Sequence, residues 1–234
     1  MNKVNVGLIG SGLASGLHAQ AFDLVKDAEI VAVASVENNL REFAAKWKIP
    51  KWFTNYRDLL KIDEIDVVCL GIPNYLHCQI AVDTAEAKKH VICEKPLCMT
   101  LEEADLMINS CKKNNVKLMY AETLCFTPKY VKVKEMVNSG AVGKVYLVRQ
   151  CEKHFGPNSN WFWDIEKSGG GCLVDSGCHG IEFCRWILDK PKIRSVYSQL
   201  DRLYHKDKGL GEDNALLILE FENGAADKND GRGP

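Results

Sequence analysis

Residues 4–22 read VNVGLIGSGLASGLHAQAF, and this stretch decides the fold. Val4–Ile9 is an apolar run of strand length, Gly10-Ser11-Gly12 is a glycine turn, and a helix is expected from Leu13 to about Val25. Leu17, Ala21 and Leu24 fall at helical spacing and are expected to share one face. A strand that passes through a glycine turn into a helix is the first half of a βαβ unit.

The same alternation continues outward. Ile30–Ala34 reads as a second buried strand, followed by a helix with Leu40, Phe43, Ala44 and Trp47 at i, i+3, i+4 and i+7. Ile65–Gly71, His90–Cys93 and Val116–Ala121 are further strands, with a helical stretch over Leu76–Lys88. Thr100-Leu101-Glu102-Glu103 opens another helix as a capping box. Six strands are expected between Val4 and Glu122, one more than the five runs named. Strands alternating with helices need crossover connections, which predicts an α/β, doubly wound parallel sheet with helices on both faces. After Glu122 the texture changes. Thr127-Pro128 starts a helix that Gly140 ends, and Lys144–Lys153 reads as a long strand. Phe155–Gly171 reads as irregular, Asp175–Leu188 as helical, and Ile193–Leu203 and Asn214–Glu222 as two more strands. This is the pattern of an α+β domain with an open, mainly antiparallel sheet. The polar stretch Ala225–Pro234 breaks from it, and is expected to mark truncation or a shifted reading frame, leaving that sheet incomplete.

The 234 residues are 46% hydrophobic and 26% charged, with a formal net charge of −1. That balance offers no electrostatic footprint for nucleic acid or an acidic membrane surface. No apolar run reaches the roughly 20 residues of a membrane span, and the first residues carry no signal-peptide pattern, so a cytoplasmic location is expected. The ten cysteines form no CxxC pair and sit mostly in apolar segments, as reduced thiols do. A zinc site from Cys172, Cys178, His179 and Cys184 matches no usual spacing, and no metal is expected.

Several positions can carry chemistry. A glycine turn between strand and helix lets backbone approach a pyrophosphate, while the helix N-terminus supplies amides and partial positive charge. Gly10, Gly12, Leu13 and Ala14 are the candidates, with Ser15 where a third glycine is usual. A tight turn without a ligand is the competing reading. Ser35 and Glu37 occupy the end of the second strand, where a ribose is read. Neither an aspartate nor an adjacent arginine stands there, so NAD and NADP both remain open, and Arg41 is expected at the surface. Glu94-Lys95-Pro96 ends a buried strand, placing a lysine at the carboxyl edge of the sheet, where ligands bind in α/β proteins. Asp175 and His179 lie four apart near a helix start. There the dipole favours a carboxylate, and histidine can exchange a proton near neutrality. A capping aspartate beside a packed histidine is the plainer alternative. Gly169-Gly170-Gly171 would let the chain turn tightly against a ligand.

Five segments together resemble the Gfo/Idh/MocA oxidoreductases: VGLIGSGLASGLHAQAF, DVVCLGIPNYLHCQIAV, KHVICEKPLCMTLEEA, YAETLCFTPKYVKVK and WFWDIEKSGGGCLVDSGCHGIEFCRWIL. The resemblance implies an NAD(P)-binding Rossmann domain over residues 1–122 and a substrate-binding, catalytic domain over 123–234. It implies a catalytic group of Lys95, Asp175 and His179, with Gly71, Pro73, Asn74, His77 and Glu94 joining the cofactor crevice. Around the substrate, His154 and Trp163 are candidates beside Lys95, Asp175 and His179, with an exposed strand end as the competing reading for Glu152-Lys153-His154. His18 has a structural counterpart. The implied reaction is hydride transfer between nicotinamide and a carbinol carbon of a sugar, polyol or sugar derivative. Oxidation followed by elimination, or a cofactor-binding sensor without turnover, are the alternatives. A homo-oligomer through the second-domain sheet is implied for the full-length form. Three departures stand out: Ile72 in place of threonine, Lys88 in place of glycine, and Cys125 in place of arginine.

Overall fold

A computed structural model describes residues 3–157 and 159–222. Its contacts divide the chain into two compact units that meet at Ala121/Glu122. In the first unit, strands β1 (Val4–Ile9), β2 (Ala28–Ala34), β3 (Lys51–Phe53), β4 (Val67–Leu70), β5 (His90–Glu94) and β6 (Leu118–Ala121) form one sheet. Its order is β3-β2-β1-β4-β5-β6 and every pair is parallel. The connections are helices α1 (Leu13–Asp23), α2 (Leu40–Lys46), α3 (Tyr56–Leu60), α4 (His77–Glu86) and α5 (Leu101–Asn114). The strand order reverses between β1 and β4, the switch point at which a doubly wound sheet opens a crevice.

Both faces of the sheet are sealed. On one, Val68, Leu70 and Val91 pack with Ile80, Ala81 and Ala85 of α4 and with Met107 and Cys111 of α5. On the other, Val6, Leu8, Val33 and Cys69 pack with Ala19 of α1 and with Leu40, Phe43 and Ala44 of α2. A leucine buried this way contributes about 1.5–3 kcal/mol. Lys89 is buried too, its ammonium donating to the carbonyls of Ile62 and Ile65 at 2.7 and 3.0 Å. The capping of α5 follows expectation in part. Thr100 Oγ1 accepts the Glu103 amide at 3.2 Å, while the Glu103 carboxylate reaches one residue further back, to the Met99 amide at 2.8 Å.

Two expectations in this unit need correction. Leu17, Ala21 and Leu24 do not form the packed face of α1: all three are exposed, and Ser15, Ala19 and Phe22 face the sheet instead. The cause is close approach. Ser15 touches the backbone of Gly71, its hydroxyl donating to the Gly71 carbonyl at 3.0 Å, and leucines on that face would hold the helix away. The sixth strand is the three-residue β3, which precedes the equally unforeseen α3.

The second unit contains α6 (Pro128–Asn138), α7 (Ile165–Ser168), α8 (Cys178–Ile187) and an antiparallel pair, β7 (Ile193–Asp201) and β8 (Asn214–Phe221). Proline opens α6, and Gly140 follows it at φ +73°, as the turn beyond a helix end requires. Lys144–Lys153 is not a strand. Its residues suit a pleated ladder, but among the described residues no strand edge pairs with it, and β propensity without a partner does not make a strand. Phe155–Gly171 is not wholly irregular, since it holds α7 and a 3-10 turn over Asn160–Trp163. Asp175 lies in a π-helical turn, Leu173–Gly177, that runs into α8. Residues 225–234, on which the expectation of an early stop rests, lie outside the described residues.

Candidate cofactor and acid–base sites

In the first unit the pairing register lines up the strand ends. Ile9 pairs with Ala34 on one side and Leu70 on the other, and Leu70 pairs with Cys93. Gly10, Ser35, Gly71 and Glu94 therefore stand in a row along the carboxyl edge of the sheet. Gly10 has φ +109°, and a Cβ there would run into the carbonyl of Gly71 and the side chain of Ser15. Only glycine suits that position. Ser15 thus takes the place of the third glycine by hydrogen-bonding across the gap rather than leaving it empty. Gly12 caps α1 with no side-chain hydrogen bond, and a Cβ built on it would meet nothing within 4 Å. Open space lies before the free amides of an 11-residue helix, with Leu13 exposed and Ala14 half-buried in its first turn.

At the ribose end, Ser35 is buried within a network. Its hydroxyl lies 2.8 Å from that of Ser11 and accepts the Glu37 amide at 3.1 Å, while Asn39 grips Ser11, its Oδ1 accepting from the Ser11 hydroxyl (2.7 Å) and its Nδ2 donating to the Ser11 carbonyl (2.9 Å). Glu37 is exposed beside it. Arg41 lies at the surface over the Trp52 ring, 4.9 Å from its centroid. Asn39 was not foreseen. An asparagine five residues past a strand end carries no distinctive local signal.

Glu94 is held by both neighbours. His18 Nε2 lies 2.8 Å from Oε1, and the Lys95 amide donates to Oε2 at 3.0 Å. Burial disfavours its charge, but these hydrogen bonds outweigh burial and hold the carboxyl below its usual range. Lys95, half-buried, follows at the strand end, joined to Pro96 by a cis peptide bond. Pro73 is half-buried and Asn74 buried in the turn after β4. His77 corrects the expectation that it lines the crevice. It is fully buried, and its two ring nitrogens face the carbonyls of Pro96 (2.8 Å) and Ile72 (2.9 Å). It ties the turn after β4 to the turn after β5. Burial pushes its pKa down more than the carbonyl contacts raise it.

In the second unit, His179 sits in the first turn of α8. Its Nδ1 lies 2.6 and 2.8 Å from the two oxygens of Glu122, a carboxylate 5% exposed that also accepts the Leu124 amide at 2.9 Å. Glu122 went unnoticed in the sequence because it stands at a boundary 57 residues away from its partner. Asp175 faces His154, whose Nε2 is 4.0 Å from its carboxylate and 2.9 Å from Ser176 Oγ. The Gly156 amide donates to His154 Nδ1 at 3.1 Å, so Nε2 carries the proton toward Ser176 and Asp175. Trp163 lines a crevice with Phe155, Gly156, Pro157, Asn160 and Lys208.

The Gly169–Gly171 turn packs against protein, not open space. A Cβ at Gly171 would collide with Glu212, whose carboxylate accepts the amides of Gly171 (3.2 Å) and Leu173 (2.9 Å). Glu212 thereby braces the π-helical turn that carries Asp175. Asp213 in the same loop accepts the amides of Leu203, Tyr204 and His205.

All ten cysteines are free thiols. The possible metal ligands Glu122, Cys178 and His179 come within 4.8 Å of one another. Two ligands about 2.1 Å from a tetrahedral zinc lie roughly 3.4 Å apart. The 2.6 Å contact between Glu122 and His179 is instead a direct hydrogen bond. No helix among the described residues is long and apolar enough to cross a membrane.

Comparison with known proteins accounts for both units. Residues 4–122 match the GFO/IDH/MocA oxidoreductase family model, NAD-binding Rossmann fold, and residues 130–226 match the GFO/IDH/MocA C-terminal domain. The chain is 29% identical over 225 residues to myo-inositol 2-dehydrogenase of Thermotoga maritima, covering 95% of this chain and 66% of that protein. It is 32% identical to levoglucosan dehydrogenase of Pseudarthrobacter phenanthrenivorans, over 96% of this chain and 66% of the relative. The structure of GenD2 from gentamicin A biosynthesis, in complex with NAD, superposes with a TM-score of 0.90 at 27% identity, covering 96% of this chain and 64% of that one. The chain thus spans just under two thirds of the length of these relatives. On the two matched domains and the folds that carry them, it belongs to the GFO/IDH/MocA oxidoreductase family.

Proposed function

We propose that this chain supplies the cofactor-binding and acid–base groups of a cytoplasmic NAD(P)-dependent dehydrogenase acting on a CH–OH carbon of a sugar, polyol or sugar derivative. The observation that carries the reading is the close approach at the switch point, where neither Gly10 nor Gly71 has room for a Cβ beside Ser15, and Gly12 opens the N-terminus of α1. A dinucleotide fits these residues. Backbone amides from Gly12 to Ala14 would hold the pyrophosphate, and the Ser35–Glu37 turn would hold the ribose. The exposed Glu37 carboxylate disfavours a 2′-phosphate at that position, which points to NAD over NADP.

When bound, the nicotinamide supplies the redox chemistry by accepting or giving a hydride at C4. The chain's own residues handle the oxygen. Lys95 donates to the substrate oxygen, on which negative charge grows as the carbon–hydrogen bond changes. His179 exchanges the hydroxyl proton. Asp175, with His154 beside it, accepts from a neighbouring substrate hydroxyl, and Trp163 offers an apolar surface to the sugar ring. The relatives named for inositol and levoglucosan support a cyclic polyol or anhydrosugar as the first substrates to test. In the whole protein, subunit association would use the β7–β8 sheet, where Tyr197, Leu216 and Ile218 are all more than half exposed.

The test is a polyol and sugar panel with each dinucleotide, followed at the nicotinamide absorbance. Lys95→Met is expected to lower kcat by about 10²–10³-fold while leaving dinucleotide affinity within a few-fold. Undiminished turnover in Lys95→Met would reject the assignment. Turnover without net change in the dinucleotide would point to oxidation followed by elimination.

A further inference from the structure

We propose that Glu122 is the positioning residue for His179, fixing which ring nitrogen exchanges the substrate proton. This rests on the acid–base role of His179 proposed above, and adds a residue and an atom to it. Both hydrogen bonds of the ring run from Nδ1 to the Glu122 carboxylate, at 2.6 and 2.8 Å. An ionised carboxylate only accepts, so Nδ1 holds a proton in every charge state of the ring. Nε2 is then the nitrogen that takes a proton from the substrate hydroxyl during oxidation and returns it during reduction.

Glu122 is built to hold that arrangement. It is 5% exposed, follows the end of β6, and is pinned by the Leu124 amide at 2.9 Å. His179 is held in turn by the first turn of α8 and is itself mostly buried, with 14% of its side chain exposed. When the substrate O–H breaks, its proton goes to Nε2, and the carbon-bound hydrogen leaves with its electron pair to an oxidised nicotinamide dinucleotide. The imidazolium that results faces the Glu122 carboxylate and forms a pair of zero net charge, which a site this poorly solvated favours. A neutral side chain at 122 would leave that cation unopposed. The arrangement is a carboxylate–imidazole pair in which the acid orients the base and stabilises its protonated form without touching the substrate.

The first arm of the test needs no bound cofactor. In protein labelled with 15N-histidine, the His179 signals are assigned by their loss in His179→Gln. Long-range proton–nitrogen correlation is expected to show Nδ1 protonated in the wild-type protein, and Glu122→Ala is expected to release the ring to the Nε2–H tautomer. A wild-type ring with bare Nδ1 overturns the proposal without any Glu122 variant having to fold. The second arm is kinetic. Glu122→Gln, equal in size, is expected to lower kcat about 10²-fold with KM changed less than about threefold, and Glu122→Asp to recover part of the loss. Wild-type kcat in Glu122→Gln overturns the positioning role while leaving His179 as the acid–base group. Wild-type kcat in His179→Gln rejects the underlying reading, and the role of Glu122 falls with it, even with Nδ1 protonated.

Discussion

The two units differ in how far each closes its own core. In the first, six parallel strands lie between two layers of helices, and Leu8, Leu59, Leu70, Val33 and Met107 lose all contact with solvent. In the second, the buried apolar residues among those described are Cys125, Phe183, Ile187 and Phe221, while Val196, Tyr197, Leu200, Leu216 and Ile218 of the two-stranded sheet remain well exposed. A doubly wound unit covers both faces of its sheet with the helices its own crossovers require. A two-stranded antiparallel ribbon supplies no cover of its own and is marginal alone. The first unit therefore owes its stability to packing. The second owes its local order to polar clamps: Glu122 on His179, Glu212 on the glycine turn, and Asp213 on three successive amides.

The largest effect should appear where packing is tightest. Leu70→Ala is expected to cost about 2–5 kcal/mol in chemical denaturation, and Ile218→Ala about 0.5 kcal/mol or less. Equal costs would erase the contrast between the units. Hydrogen exchange sharpens it further, with amides of β1 and β4 expected to outlast those of β7 and β8 by at least tenfold.

The glycine positions come next, and they divide by unit as well. Gly10→Ala places a side chain at φ +109° against the Gly71 carbonyl. It is expected to weaken dinucleotide binding at least about 100-fold, given about 1–3 kcal/mol of backbone strain before the clash is counted. Gly171→Ala should leave dinucleotide affinity unchanged while loosening the turn that carries Asp175, read as faster exchange of the Cys172 and Leu173 amides. A loss of dinucleotide affinity in Gly171→Ala would show that the two glycine turns are not independent.

Acid should act on both units through depressed carboxyl groups. Burial opposes the charge of Glu94 and of Asp213, yet hydrogen bonds outweigh it in each and hold the pKa below the usual value. The stability these groups add is fully present above their unfolded pKa values, about 4.3 for Glu and 3.9 for Asp. It is lost as pH falls through the lower folded values. Neither clamp should loosen between pH 7 and about 5. An unfolding free energy that fell across that window in the wild-type protein, but not in Glu94→Gln or Asp213→Asn, would contradict the assignment.

The smallest effect concerns Lys88, which holds φ +60°, a backbone conformation that favours glycine. Lys88→Gly is expected to stabilise the first unit by up to about 1 kcal/mol, less whatever the Lys88–Asn114 hydrogen bond contributes.

Legibility in the sequence followed the same division. The doubly wound order was readable because β1, β2, β4 and β5 are mostly apolar segments of strand length, and α2 carries its core residues at helical spacing. The strand β3 was not, since Lys51, Trp52 and Phe53 are too few to show a period. The packed face of α1 was misread because the close approach at Gly10 and Gly71 selects small side chains, so Ser15 and Ala19 displaced the leucines that helical spacing favoured. Lys144–Lys153 has strand-like composition but no partner among the described residues. At the site, Lys95, Asp175 and His179 stood in recognisable motifs. Glu122, Asn39 and Glu212 act through contacts 57, 28 and 39 to 41 residues away, which no local pattern encodes.

The proposed function stands or falls on the switch point of the first unit as a dinucleotide site. Calorimetric titration of the 234-residue protein with NAD and with NADP tests it most directly. Saturable one-to-one binding of NAD is expected, with weaker binding of NADP and loss of both in Gly10→Ala with the circular dichroism of the fold retained. Absence of binding by either dinucleotide to the folded wild-type protein, or NAD affinity unaffected by Gly10→Ala, would contradict it.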